Sequence, residues 1–124
     1  MKKIKIFLFN PYPSIGGVDT TIFRFINSLN LNKFEVEYLS LKKLKYFKNK
    51  NIIYTKIKSR SAFLSFFKIL KKIKKDKHDK KIFFSIQYFV NVWSILFIKL
   101  FLGIKIFIYE VNHLNELNYY SNFK

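Results

Sequence analysis

The amino-acid sequence predicts an α/β fold with a mostly parallel sheet and helices on both faces. Short apolar or alternating runs are separated by segments in which apolar residues recur every three or four positions. Their order is strand, loop, helix, strand, strand, helix, strand, helix, strand. Such alternation is typical of parallel sheets, because each crossover helix returns the chain to the same end of the sheet. With 124 residues and 50% hydrophobic content, the chain can build the core of one domain.

The first elements are a strand, a loop, a helix and a second strand. KIKIFLF at 3–9 alternates and then becomes fully apolar, as a strand does when it enters a buried sheet. After a loop with proline and glycine, apolar residues from Val18 to Leu29 fall on one face of a helix. FEVEYLSL at 34–41 alternates with period two and predicts the second strand.

The middle of the chain adds a loop, a strand and a helix. Residues 42–50 carry five lysines and predict a solvated loop, and NIIYTKI at 51–57 predicts a short strand. Ser61 is the predicted N-cap of a second amphipathic helix, which runs into the basic segment 71–81.

The last part of the chain alternates in the same way. IFFSI at 82–86 predicts a strand, and residues 88–102 predict a strongly apolar helix that ends at Gly103. IKIFIYE at 104–110 predicts another strand, and residues 111–124 predict a loop that leads into a fourth helix.

A membrane-spanning helix is the competing interpretation of the segment from Ile82 to Ile98. These seventeen residues carry no charge, which is near the lower limit for a bilayer span. Several polar residues interrupt the segment, however, and its beginning has strand character. A strand followed by a buried helix explains both features better.

The composition limits the classes of partner and site. The net charge of +17 invites a nucleic-acid partner, but only Arg24 and Arg60 among 24 basic residues are arginine, the residue of bidentate phosphate and base contacts. A solvated lysine surface, or weak attraction to anionic lipids, is favoured over specific nucleic-acid binding. The absence of cysteine excludes disulfides and thiolate metal sites, and the presence of only two, distant histidines argues against a zinc site.

The Gly16-Gly17 pair follows the first predicted strand, in NPYPSIGGVDTTIF at 10–23. One interpretation is a plain turn that needs a positive φ angle. The other is close approach of an anion to the backbone at a helix N-terminus, where N–H groups face outwards. The spacing matches neither the dinucleotide-binding G-x-G-x-x-G fingerprint nor a Walker loop. Asp19 suits the first turn of the helix that follows.

In this order of elements, IKIFLFNPYPSIGGVDTTIFRFINSLN resembles the start of the family-4 glycosyltransferases, which have the GT-B architecture of two facing Rossmann-like domains. Gly16, Gly17 and Asp19 stand where that family has a glycine pair and an acidic residue. Arg60 resembles the arginine that often precedes the second helix. Asp79 in KKDKHDKKIFFSI resembles the aspartate before the fourth strand, with His78 where proline is usual.

The resemblance implies an acceptor-side, N-terminal Rossmann-like domain of an enzyme that moves a sugar from a nucleotide-sugar donor to a glycan or lipid-linked acceptor. The donor is a co-substrate, and neither a cofactor nor a metal is implied. Gly16 and Gly17 would bind the donor phosphate, and Asp19 would support the start of the helix. Glu110, Asn112 and His113, at the end of the last predicted strand, would bind the acceptor, with His113 as the candidate catalytic base. Ligands of open α/β sheets bind at this edge.

The resemblance also implies the domain organisation. Residues 1–124 are expected to be an incomplete N-terminal domain, without the C-terminal domain that binds the donor, and the chain alone is expected to be inactive. We expect a cytoplasmic protein, with the lysine-rich segments 42–50 and 71–81 able to contact the anionic inner face of the membrane. The alternative is a non-catalytic basic module that binds anionic membrane lipid or nucleic acid.

Overall fold

The computed structural model of the protein describes residues 2–13, 17–43 and 49–109. Its described residues contain one five-stranded sheet in the order β3-β2-β1-β4-β5, and every pairing is parallel. The strands are β1 (Ile4–Phe9), β2 (Phe34–Ser40), β3 (Ile53–Lys56), β4 (Lys81–Ile86) and β5 (Lys105–Tyr109). The α/β fold class with a Rossmann-like parallel sheet is therefore confirmed.

Helices cover both faces of the sheet. One face carries α1 (Gly17–Ser28), and the opposite face carries α2 (Ala62–Lys75). The predicted N-cap of α2 is confirmed, because the Ser61 hydroxyl accepts a hydrogen bond from the Leu64 amide at 3.2 Å. This contact satisfies one of the amides that the first turn leaves without an intrahelical partner.

The third helical segment also lies on the α2 face. It begins as α3 (Tyr88–Ser94), continues through a π-helical stretch at Ile95–Lys99 and ends with α4 (Leu100–Leu102); we call the whole segment the 88–102 helix. Gly103 ends it with φ of 64° and ψ of 16°, and its amide donates to the Lys99 carbonyl at 3.0 Å. This left-handed conformation has little steric cost only for glycine, so the predicted C-cap is confirmed.

The parallel register divides the core into two clusters. In β1, Ile6 and Leu8 point towards α1, whereas Phe7 and Phe9 point towards α2, because successive side chains in a strand face opposite sides. The α1 cluster is built from Ile6, Leu8, Ile22, Phe23, Ile26, Val36, Tyr38, Ile52 and Ile86. The α2 cluster is built from Phe7, Phe9, Leu39, Ile57, Phe66, Ile69, Ile73, Phe83, Val90 and Ile98.

The segment 82–98 forms most of β4 and the greater part of the 88–102 helix, as the strand-and-helix interpretation predicted. Among the residues that the structure describes, no helix has the length and apolar character needed to cross a membrane.

A cluster of charged side chains lies on the α2 face, near the amino ends of the strands. Lys5 of β1 is only 3% exposed, and its Nζ lies 2.6 Å from Glu35 Oε1 and 3.2 Å from Glu37 Oε2. Lys72 Nζ lies 2.8 Å from Glu37 Oε1, which also accepts a hydrogen bond from the Thr55 hydroxyl at 2.7 Å. The cluster therefore links β1, β2, β3 and α2.

The ion pairs of this cluster shift the acid–base equilibria of its members. Burial by itself would raise the pKa of Glu37, but hydrogen bonds from Lys72 and Thr55 outweigh burial and hold that pKa below its ordinary value of 4.5. The hydrogen bond from Lys5 likewise lowers the pKa of Glu35. Burial opposes the charge of Lys5, yet its two glutamate partners raise the pKa of the ammonium group. All three groups are therefore charged at neutral pH.

Candidate functional site

The candidate site lies at the carboxyl ends of β1 and β4, where the strand order reverses. From β1 the chain moves outwards to β2 and β3, and it then crosses to β4 on the other side of β1. Such a switch point leaves a crevice outside the sheet edge, because the two crossover connections leave in opposite directions. Asn10 directly follows β1 at this edge, and Gln87 directly follows β4.

Asn10 connects three neighbouring elements through its side-chain amide. The side chain is buried, and its Nδ2 donates to Asp19 Oδ1 at 2.9 Å and to the Tyr38 hydroxyl oxygen at 3.0 Å. Its Oδ1 accepts a hydrogen bond from Gln87 Nε2 at 3.1 Å. Both amide hydrogens and one acceptor position are used, so Asn10 connects α1, β2 and the residue after β4 at this edge of the sheet.

Gln87 has an unusual backbone conformation. Its φ of 82° and ψ of 140° make it the one non-glycine residue with positive φ among the described residues. A side chain in this region costs about 1 kcal/mol or more, and such strain persists where surrounding contacts hold it, commonly in ligand sites. Gln87 is exposed, whereas Asn10 and Asp19 are buried. Its amide is therefore the group of this network best able to contact a ligand.

Buried polar groups of β4 and α3 hold the Gln87 backbone. The Gln87 carbonyl accepts a hydrogen bond from the Asn91 backbone amide at 2.9 Å. The Asn91 side chain is buried, and with its amide nitrogen turned towards β4 it donates to Ser85 Oγ at 2.8 Å and to the Gln87 carbonyl at 3.2 Å. Ser94 Oγ donates to Ser85 Oγ at 2.9 Å, so this group of buried polar side chains extends further between α3 and β4.

Tyr38 supplies a neutral hydroxyl to the network. Its ring is buried and stacks on Phe23 with a centroid distance of 6.0 Å. Burial is the main cause that raises the pKa of Tyr38 well above its ordinary value, and the charge of Asp19 adds to it, against the hydrogen bond from Asn10. The phenol therefore stays protonated throughout the physiological range, and it cannot act as a base here.

An exposed aromatic ring borders the same edge. The Leu41 amide, just after β2, donates to the Pro11 carbonyl at 2.9 Å and fixes the segment that carries Tyr12. The Tyr12 ring is 44% exposed, and Lys42 Nζ lies 5.6 Å from its centroid. This distance is within the range of a cation–π contact between the Lys42 ammonium group and the Tyr12 ring.

The predicted site residues fall partly within the described residues. Gly17 is the first residue of α1, and Asp19 lies in the first turn of that helix, hydrogen-bonded to Asn10. Gly16 and the predicted acceptor residues Glu110, Asn112 and His113 lie outside the described residues. The strand that precedes them reaches the same edge, because Tyr109 at the end of β5 pairs with Ile86 at the end of β4.

The sequence interpretation missed Asn10 and Gln87. Each is the first polar residue after a strongly apolar strand, which is the position where parallel strands present side chains to a ligand. That signal was available in the sequence. Within the described ranges, no group of three or more His, Asp or Glu side chains is placed to hold a metal ion.

No protein-family model matches the chain, and no curated protein is significantly similar to it.

Proposed function

We propose that the chain is the acceptor-side, N-terminal domain of a family-4-type GT-B glycosyltransferase, which transfers a sugar from a nucleotide-sugar donor to a glycan or lipid-linked acceptor. The observation that carries this proposal is the exposed Gln87 amide at the sheet's switch point, held by the buried Asn10–Asp19 pair beside the first turn of α1. Together these groups place hydrogen-bonding side chains at the edge where open α/β sheets bind ligands.

The N-terminus of α1 is the proposed place of the donor diphosphate. The first amides of a helix lack intrahelical partners, and the helix dipole favours an anion there. Gly17 begins this helix, so no side chain stands between an approaching phosphate and the backbone at that position. The hydrogen bond between Asn10 and Asp19 ties the end of β1 to the first turn, and thereby sets the distance between Gln87 and the helix terminus.

The proposed acceptor site lies at the same carboxyl edge of the sheet, beside the N-terminus of α1. Gln87 and the exposed Tyr12 ring provide a hydrogen-bonding amide and a flat apolar surface, which are the two features that a sugar ring uses. Glu110 and Asn112 are the proposed acceptor contacts, and His113 is the proposed base that takes the proton from the acceptor hydroxyl. A separate donor domain supplies the nucleotide site, so the chain alone binds its ligands weakly and does not turn over.

Gly17→Val is expected to weaken the binding of inorganic pyrophosphate, the probe for the donor diphosphate, by about tenfold or more, because the branched side chain blocks close approach to the helix terminus. Isothermal calorimetry measures this effect. Thr21→Val is the matched control, since it places the same valine side chain one turn further along α1. Circular dichroism checks that both variants keep the fold.

Equal affinity of the parent chain and Gly17→Val for pyrophosphate would assign the binding to surface lysines and would contradict the proposal. Sugar transfer from UDP-glucose by the purified chain alone would contradict the assignment of the nucleotide site to a separate domain.

A further inference from the structure

The outer face of the 88–102 helix is almost entirely apolar. Leu100 and Phe101 are 72% and 68% exposed, and Val92, Ile95 and Leu96 are also exposed. The opposite side of the same helix packs into the α2 cluster through Val90 and Ile98. A helix on the surface of a soluble domain normally places polar residues outside, so this helix has an apolar face without a partner among the described residues.

Aromatic rings extend this surface from the 88–102 helix onto α2. Phe63 lies 4.7 Å from Trp93 and 5.6 Å from Phe97, and Phe67 lies 5.6 Å from Phe97, measured between ring centroids. Phe97 stacks in turn on Phe101 at 6.1 Å. We call Phe63, Phe67, Trp93, Phe97, Leu100 and Phe101 the aromatic face. It is continuous, and four of its members are more than a third exposed.

The two helices that carry the aromatic face have charged residues of one sign. Residues 62–75 and 88–102 contain six lysines and neither aspartate nor glutamate. Lys71 lies one turn after Phe67, and Lys99 lies between Leu96 and Leu100; both side chains are exposed. Among the described residues, Lys72 is the one lysine of these six that forms an ion pair, and its partner is Glu37. Long lysine side chains can lie along apolar surface while their ammonium groups reach anions.

We propose that the aromatic face lies on the surface of an anionic lipid bilayer. Leu100 and Phe101, the most exposed of its residues, enter the boundary between headgroups and acyl chains, while the surrounding lysines contact lipid phosphates. This inference rests on a different surface from the sheet edge and does not depend on the proposed function. It also differs from attraction by the lysine segments alone, because the apolar residues supply part of the binding.

Other possible partners of the aromatic face match its lysines and apolar side chains less well than a bilayer does. A second copy of the chain would place two pairs of helices that carry lysine and no carboxylate against each other, and such like-charge contacts oppose association. Nucleic acid would satisfy the lysines, but aliphatic side chains such as Leu100, Val92 and Ile95 offer no stacking or hydrogen bonds to bases. A bilayer with anionic headgroups satisfies the apolar and the charged residues together.

Trp93 allows a direct test, because it is the single tryptophan of the chain and belongs to the aromatic face. We expect the full chain to sediment with phosphatidylcholine vesicles that contain phosphatidylglycerol, and not with phosphatidylcholine alone. On binding, the emission of Trp93 should shift to shorter wavelength, and lipids brominated near the headgroup should quench it.

The double variant Leu100→Ser with Phe101→Ser should bind the anionic vesicles about tenfold or more weakly, since two large apolar side chains no longer enter the lipid. Both residues are mostly exposed, so the variant should still fold. Ile53→Ser is the matched control, because Ile53 is 46% exposed on the edge strand β3, which is not part of the aromatic face.

Three outcomes would overturn the inference. The first is unchanged Trp93 emission in the presence of bound vesicles, which would assign binding to lysines elsewhere. The second is equal vesicle affinity of the double variant and Ile53→Ser. The third is a lipid-free dimer, seen by sedimentation velocity, that dissociates in the double variant, because a second copy would then cover the face.

Discussion

Phe66→Ala is expected to lower the free energy of unfolding by about 3–5 kcal/mol, measured by urea denaturation. The Phe66 ring is fully buried between α2 and the sheet, with its centroid 5.4 Å from Phe9 and 6.4 Å from Phe83. Alanine leaves a cavity at the centre of the α2 cluster and removes these ring contacts. Because domains of this size are stable by only about 5–15 kcal/mol, the variant should be close to unfolding at room temperature.

Phe67→Ala provides the control for Phe66→Ala, because the neighbouring ring is 54% exposed. We expect it to cost about 1 kcal/mol or less, since an exposed ring leaves no cavity behind. A similar decrease in the free energy of unfolding for both variants would contradict the packing of Phe66, Ile69 and Ile73 against the sheet.

Glu37→Ala should lower the free energy of unfolding by about 3 kcal/mol, which is the scale of breaking a buried ion pair by removing one partner. Glu37 is bound by Lys5, Lys72 and Thr55, and Lys5 is nearly inaccessible to water. Loss of the carboxylate leaves the buried ammonium group with Glu35 as its remaining carboxylate partner among the described residues. Urea denaturation at neutral pH measures the loss.

Asp79→Ala is the control for Glu37→Ala, because the Lys2–Asp79 pair has a similar distance of 2.9 Å but both side chains are largely exposed. Solvent screens such a pair, so we expect no measurable change in stability.

The pH dependence of stability gives a second test of the contribution of Glu37. The pKa of Glu37 is lower in the folded state than its ordinary value of 4.5. The contribution of Glu37 to the free energy of unfolding is therefore complete at pH values above 4.5, and it is lost as the pH falls through the folded-state pKa. A pH profile of stability that is the same for the parent chain and Glu37→Gln would contradict this account.

The fold was predictable because it depends on patterns that are local in the sequence. The period-two and period-3.6 runs located the strands and helices, and Ser61 and Gly103 marked helix ends through side-chain chemistry and backbone freedom. The charged cluster was not predictable in the same way. Period two places Lys5 on the same face as Phe7 and Phe9, but only the register of β1 against β2 brings Glu35 and Glu37 to it.

The candidate site was predictable in its position and only partly in its residues. Parallel strands and the glycine pair indicated the carboxyl edge, and Asp19 does lie in the first turn of α1. The backbone conformation of Gln87 has no local signature, because glutamine is not a residue that favours positive φ. The hydrogen bond between Gln87 and Asn10 joins residues 77 positions apart, so it follows from the pairing of β1 with β4 and not from either segment alone.

We propose that ligands bind at the switch point between β1 and β4. Amide chemical-shift mapping of the isotope-labelled chain, titrated with pyrophosphate and with UDP-glucose, tests it most directly. We expect the largest changes at Asn10, at Gly17 to Asp19 and at Gln87, with smaller changes near Tyr12. Changes confined to the lysine-rich segment 71–81, with none at the carboxyl edge of the sheet, would contradict the claim and leave a basic surface as the anion-binding feature of the protein.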